Sequence, residues 1–155
     1  MEIEGAESKA SFSVKKLGFI TVTGDLSNIS GTIHFDPDDL SSCLFDINVP
    51  TSTINTNNEK RDEHLRTQDF FFVEQHPDIS FQSTVVGQEN GHYFTSGNLH
   101  LLGTTQEVKL PFSFEEGVFK GDFSLNRFDY ALGKKFPSFF VGKTVQISIH
   151  CKTKT

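Results

Sequence analysis

The densest polar run in the chain is Lys60-Arg61-Asp62-Glu63-His64-Leu65-Arg66, and it holds the side chains best suited to chemistry. His64 could serve as a base, with Asp62 orienting it. Arg61 and Arg66 offer guanidinium forks that suit phosphate or another anionic head group. The same run also reads as structure: a helix whose charges tie one end of a domain together while Leu65 packs inward. No nucleophile stands beside His64 and Asp62 in sequence, which argues against covalent catalysis and for a non-enzymatic protein. The other histidines, His34, His76, His92, His100 and His150, are scattered, with no H-x-H, H-E-x-x-H or C-x-x-C spacing, so no metal site is expected. A G-x-S-x-G elbow, a P-loop and a G-x-G-x-x-G turn are absent too. Cys43 and Cys151 could form one bridge at most, and both read as small buried apolar residues.

A scaffold must position these groups, and 155 residues suffice for one domain, 1–155, with its own core. Fourteen basic against 20 acidic residues give a net charge of −6, which works against nucleic acid as a partner. Phenylalanine contributes 17 residues and tryptophan none, so the interior is lined with flat apolar rings. No stretch approaches the roughly 18 consecutive apolar residues of a membrane-spanning helix. Met1–Ala10 lacks the basic start and apolar run of a secretory signal, which leaves open an intracellular protein or one trimmed to its mature form.

Period-two alternation dominates. Cys43, Phe45, Ile47 and Val49 alternate with polar residues, as do Val108, Leu110, Phe112 and Phe114, and then Val145, Ile147, Ile149 and Cys151. Weaker alternation surrounds Phe12, Ile20, Ile33, Ile79–Val85, Leu99–Leu101 and Phe119–Leu125. The segment from Gly18 to Phe35 is long for one strand, and Gly24 and Gly31 sit where a bend would let it turn a barrel corner. Turn signals at Glu89-Asn90-Gly91, Gly103-Thr104-Thr105 and Glu115-Glu116-Gly117 make hairpins. The result is an all-β meander of eight strands, interrupted by one short helix around residues 58–67. Such a barrel is just wide enough to fill itself or to hold one small ligand, and composition leaves both open. Two Phe-rich connections, Phe70-Phe71-Phe72 and Phe136 to Phe140, either cap the barrel ends or form a contact patch for a membrane or protein; capping is the preferred reading.

Several spaced strings resemble a known family. Ser52-Thr53-Ile54-Asn55-Thr56, Arg61-Asp62-Glu63-His64-Leu65, Asp69-Phe70-Phe71 and His76-Pro77-Asp78-Ile79-Ser80-Phe81 are similar to the central signature of the YceI-like, polyisoprenoid-binding family. Gly97-Asn98-Leu99 through Gly103-Thr104-Thr105 resembles its Gly-x-Leu-x-x-x-Gly-x-Thr hairpin, and Arg127-Phe128-Asp129-Tyr130 its Arg-x-Asp-Phe stretch. The resemblance spans roughly positions 12 to 150. It implies an extended, eight-stranded antiparallel lipocalin-like barrel with an open tunnel for a long isoprenoid, a quinone or a related amphiphile, bound for transport or sequestration. It also implies a periplasmic or exported bacterial protein. Departures are the missing aromatic-led opening strand in Met1–Ala10 and Phe72, where a polar residue is common.

Strand parity names the tunnel lining: Phe12, Val14, Ile20, Val22, Phe45, Ile47, Phe81, Leu99, Leu101, Val108, Leu110, Phe112, Phe123, Val145, Ile147 and Ile149. The family motif adds Phe70 and Phe71, with Arg61, Asp62 and His64 as the polar group across one tunnel end. The expected partner is a long-chain lipid, with no cofactor beyond it; a homodimer stays open. The competing readings are a lipid-modifying enzyme using His64 and Asp62, and an interaction protein docking through its Phe-rich loops.

Overall fold

Every strand of the protein belongs to one antiparallel sheet in the computed structural model, which describes residues 1–155. In chain order the elements are β1 (Lys9–Lys16), β2 (Ile20–Ser27), β3 (Ser30–His34), β4 (Leu44–Pro50), α1 (Glu59–Leu65), β5 (Asp78–Glu89), β6 (His92–Leu101), β7 (Thr104–Glu115), β8 (Val118–Asn126) and β9 (Thr144–Lys152). The spatial order is β2-β1-β9-β8-β7-β6-β5-β4-β3. From β4 to β9 each strand pairs with the next in sequence, and β9 then pairs with β1, Phe12 lying opposite Ile147.

The strands number nine, not eight, because the long segment from Gly18 to Phe35 divides at Asn28-Ile29. Asn28 takes a left-handed φ of 58°, which asparagine tolerates. The first half, β2, pairs with β1, and the second, β3, pairs with β4. The two edges of the curled sheet are therefore joined covalently through one bent run. The bend expected at Gly24 is absent. Gly24 lies opposite Phe12 in regular pairing, where a Cβ would stand 2.6 Å from the Phe12 ring, so its role is to make room for that ring.

Four tight turns share one feature. Leu17-Gly18, Asn90-Gly91, Leu102-Gly103 and Glu116-Gly117 all place both residues at positive φ; the last three are the two-residue loops of type I′ hairpins, whereas Lys16 pairs with Ile20 and leaves three residues in the first. The first escapes sequence reading because leucine is a poor residue for that position. Helix α1 is shorter than the expected span. Asn58 caps it by accepting a hydrogen bond from the Arg61 N–H at 3.0 Å.

Registers place α1, the β1–β2 turn and the β8–β9 connection at one end of the barrel. At the other end Phe35, Phe45, Tyr93, Phe112, Phe114 and Phe119 pack together. Phe35 meets Tyr93, Phe112 and Phe119 edge to face at 5.2, 5.6 and 5.5 Å between centroids, the geometry that aromatic quadrupoles favour. This cluster plugs the floor.

Candidate ligand-binding cavity

Above the plug lies an apolar chamber of about 130 Å³, with 18 of its 20 lining residues hydrophobic. Inward-facing residues of eight strands, all but β3, build it. Phe12, Ile47, Phe71, Phe81, Leu99 and Leu101 line it together with Val108, Leu110, Phe123, Ile147 and Ile149. Toward the helix end it meets a vestibule of about 660 Å³, walled by Val14, Val22, Phe70, Val145, Arg61 and His64. Phe12, Phe71 and Leu132 face both spaces, so the two form one blind tunnel.

Three expected lining residues lie elsewhere. Phe45 and Phe112 have inward parity but belong to the aromatic plug, below the open space. Ile20 is exposed, because β2 starts above the point where neighbouring strands still wall the interior. The tunnel also uses residues that periodicity does not reveal. Ile29 sits in the β2–β3 bend, and Leu132 and Phe136 in the β8–β9 connection. Leu26 was findable, since it shares the parity of Val22.

The polar end differs from expectation in one pairing. Asp62 is buried beneath α1 and accepts hydrogen bonds from the Thr56 N–H at 2.9 Å and its hydroxyl at 2.5 Å, not from His64. The partner of His64 is Asp69, with Nε2 and Oδ2 2.7 Å apart, while Lys135 Nζ approaches Asp69 Oδ1 at 2.9 Å. The hydrogen bond from Lys135, and then that from His64, holds the Asp69 carboxyl below its ordinary value. A base–orienter dyad of His64 and Asp62 does not form. Arg61 is anchored by Thr56, donating through Nε to its hydroxyl at 2.8 Å and through Nη2 to its carbonyl at 2.9 Å. Lys16, Lys60 and Arg61 line the vestibule with no carboxylate among the lining residues and none in ion-pair contact with them.

The Phe-rich connections divide between the two expected roles. Phe70 and Phe136 stack at 5.0 Å, with the His64 ring edge-on to both, and close one side of the vestibule. Phe139 and Phe140 instead stand exposed. Arg127 shapes that second connection from within. Its guanidinium, almost wholly buried, donates to the carbonyls of Gly142, Leu132, Gly133, Phe136 and Val141 at 2.6–3.0 Å. Burial lowers its affinity for the proton below the usual guanidinium value. Cys43 and Cys151 are both free. Cys43 is half-buried and Cys151 fully so, its thiol pushed up to about 12 by desolvation and therefore held as an inert thiol.

A curled antiparallel barrel with a plugged floor, an apolar bore and a basic mouth defines a lipocalin-like class of architecture. Within it, the chain belongs to the YceI-like domain family, whose model matches residues 1–153. A UPF0312 protein of Pectobacterium atrosepticum is 36% identical over 107 residues, covering 69% of this chain and 56% of that protein. The protein YceI of Salmonella arizonae is 33% identical over a stretch of the same length and coverage. The matched stretch thus spans little more than half the length of these curated relatives. Among solved structures, Burkholderia cenocepacia BcnA superposes with a TM-score of 0.90 at 19% identity, covering 98% of this chain and 99% of that one. A polyisoprenoid binding domain from Saccharophagus degradans gives 0.71 at 15% identity, covering 97% and 95%. At these identities the likeness concerns the fold.

Proposed function

We propose that the chain binds a long apolar lipid, a polyisoprenoid, quinone or related amphiphile, inside the barrel and carries or sequesters it without covalent chemistry. The observation that carries this reading is the blind tunnel: a chamber with an almost wholly hydrophobic wall continuing into a vestibule whose only charged walls are basic. The chamber is close to the size at which an engineered apolar cavity takes up a benzene ring, so it holds the end of a tail. The vestibule falls within the usual range for small-molecule sites and takes the rest.

Burial of a tail of about ten carbons is worth roughly 8 kcal/mol at about 0.8 kcal/mol per CH₂. Association itself costs at least about 4 kcal/mol, so tight binding calls for a longer tail or a polar anchor. Lys16, Lys60 and Arg61 are placed to orient a polar head. Belonging to the same family fold as a polyisoprenoid binding domain supports the choice of ligand class.

Organic extraction and native mass spectrometry of the purified protein, followed by uptake of prenyl and fatty-acyl probes, test the reading. A bound long-chain lipid, or saturable uptake of either probe, is expected. Protein that is repeatedly empty and takes up neither would overturn it.

A further inference from the structure

The mouth of the vestibule carries a surface that ligand binding does not explain. Phe19 is 76% and Phe139 66% exposed, and Leu17, Ile20 and Phe140 stand out beside them. They belong to two segments distant in sequence, the β1–β2 turn and the β8–β9 connection, which the backbone fastens together. The Leu17 N–H donates to the Phe140 carbonyl at 2.9 Å, the Gly142 N–H donates to the Lys15 carbonyl at 2.7 Å, and Lys16 bridges to Val141. The Phe139 and Phe140 rings lie 4.6 Å apart. Leu17 holds a left-handed turn position, φ 53°, where asparagine, aspartate or glycine would be easier. An apolar side chain is thus placed at the tip against local turn chemistry.

The charge around this collar is opposite to that of the whole. The protein has a net charge of −6, yet residues 9–24 and 131–155 contain no aspartate or glutamate. Lys15, Lys16, Lys134, Lys135 and Lys143 flank the exposed rings, and only Lys135 makes an ion pair, with Asp69. Exposed aromatic and aliphatic tips ringed by lysine are the pattern of surfaces that enter the head-group layer of a bilayer. Lysine is by contrast depleted from protein interfaces, which weighs against a protein partner or a second copy.

We infer that this collar docks the barrel on an anionic bilayer, its rings entering the head-group layer and its lysines facing the lipid charges, with the vestibule mouth against the membrane. Lys15, Lys16, Leu17, Phe140 and Val141 also line the vestibule, so a lipid would pass between bilayer and tunnel without crossing water.

Flotation with vesicles of equal parts phosphatidylcholine and phosphatidylglycerol, against vesicles of phosphatidylcholine alone, tests this at low and at high salt. The protein is expected to float with the anionic vesicles at low salt, and to be released as salt screens the lysines. Phe19→Ser with Phe139→Ser should abolish flotation, and Lys143→Gln should weaken it about fivefold. These side chains are exposed, so circular dichroism and melting should match the parent. A variant with its chamber filled, Ile147→Trp, should still float, which separates docking from ligand uptake. Protein that stays below the anionic vesicles at low salt, or that floats equally well without Phe19 and Phe139, would overturn the inference. So would a dimer in sedimentation velocity that dissociates in the double variant and never binds vesicles.

Discussion

Asp62 and Thr56 form a closed pair beneath α1, the carboxylate accepting both the backbone N–H and the hydroxyl of the threonine. Both residues are buried, and the Thr56 hydroxyl in turn accepts from Arg61 Nε. Asp62 therefore holds Arg61 at the tunnel mouth through Thr56. Asp62→Ala should cost roughly 2–3 kcal/mol, because two buried donors lose a charged acceptor. Thr56→Val should cost less, and the double variant less than the sum, when urea midpoints are compared. Strict additivity would show that the pair does not act as a unit.

Arg127 organises the β8–β9 connection through five carbonyls that no carboxylate shares. A lysine ammonium offers three donors from a single point and cannot span them. Arg127→Lys should thus destabilise the protein by at least about 3 kcal/mol, with residues 131–143 becoming the first site of limited proteolysis. Equal stability and an intact connection would mean that the carbonyls find other donors.

The hydrophobic pattern made most of the barrel legible, for a physical reason: each strand has one wet and one dry face, so alternation fixes which side chains meet inside. Phe81, Leu99, Val108 and Ile147 could be assigned to the bore from parity alone. Depth along the bore could not. Phe45 and Ile47 share a face, yet only Ile47 meets open space, because the plug depends on Phe35, just past β3, and rings from β6, β7 and β8 converging at one level. The Leu17-Gly18 turn was hidden because its leucine gives no turn signal. Asp62 and His64 are near in sequence on α1 but point to different partners, Thr56 and Asp69, since positions two apart on a helix do not share a face.

The bore itself is probed by placing the same bulk at two isoleucines. Ile147→Trp puts an indole into a chamber of about 130 Å³ and is expected to cost about 1–3 kcal/mol while abolishing uptake of long-chain probes. Ile20→Trp adds the same ring at an exposed position and should leave uptake unchanged. Fluorescent-lipid titration of both variants distinguishes the chamber from the vestibule. Unaltered affinity in Ile147→Trp would confine the ligand to the vestibule.

Tyr130 is buried, and its hydroxyl finds no partner in the protein. Desolvation, with the nearby Asp129 charge, pushes the phenol up to about 12. Removing an unmatched buried hydroxyl while keeping the ring should be neutral or stabilising by up to about 1 kcal/mol, so Tyr130→Phe is expected to melt no lower than the parent. A clear drop in urea midpoint would reveal a hydrogen bond made by that hydroxyl in solution.

The tie between Asp69 and its partners gives a pH signature with a definite sign. Its carboxyl lies below the ordinary 3.8 when folded, chiefly through the hydrogen bond from Lys135 and then that from His64. A carboxyl whose value falls on folding binds protons less readily in the folded state, so its contribution is complete above 3.8 and is lost as pH drops through the lowered value. Asp69→Asn lacks that contribution at every pH. The urea midpoints of parent and variant should therefore differ by a small, constant amount from neutrality down to about that ordinary value, and converge in more acid solution. The effect is small because the pair is solvated and screened by salt. A gap that widens with acid would assign the stabilisation to some other group.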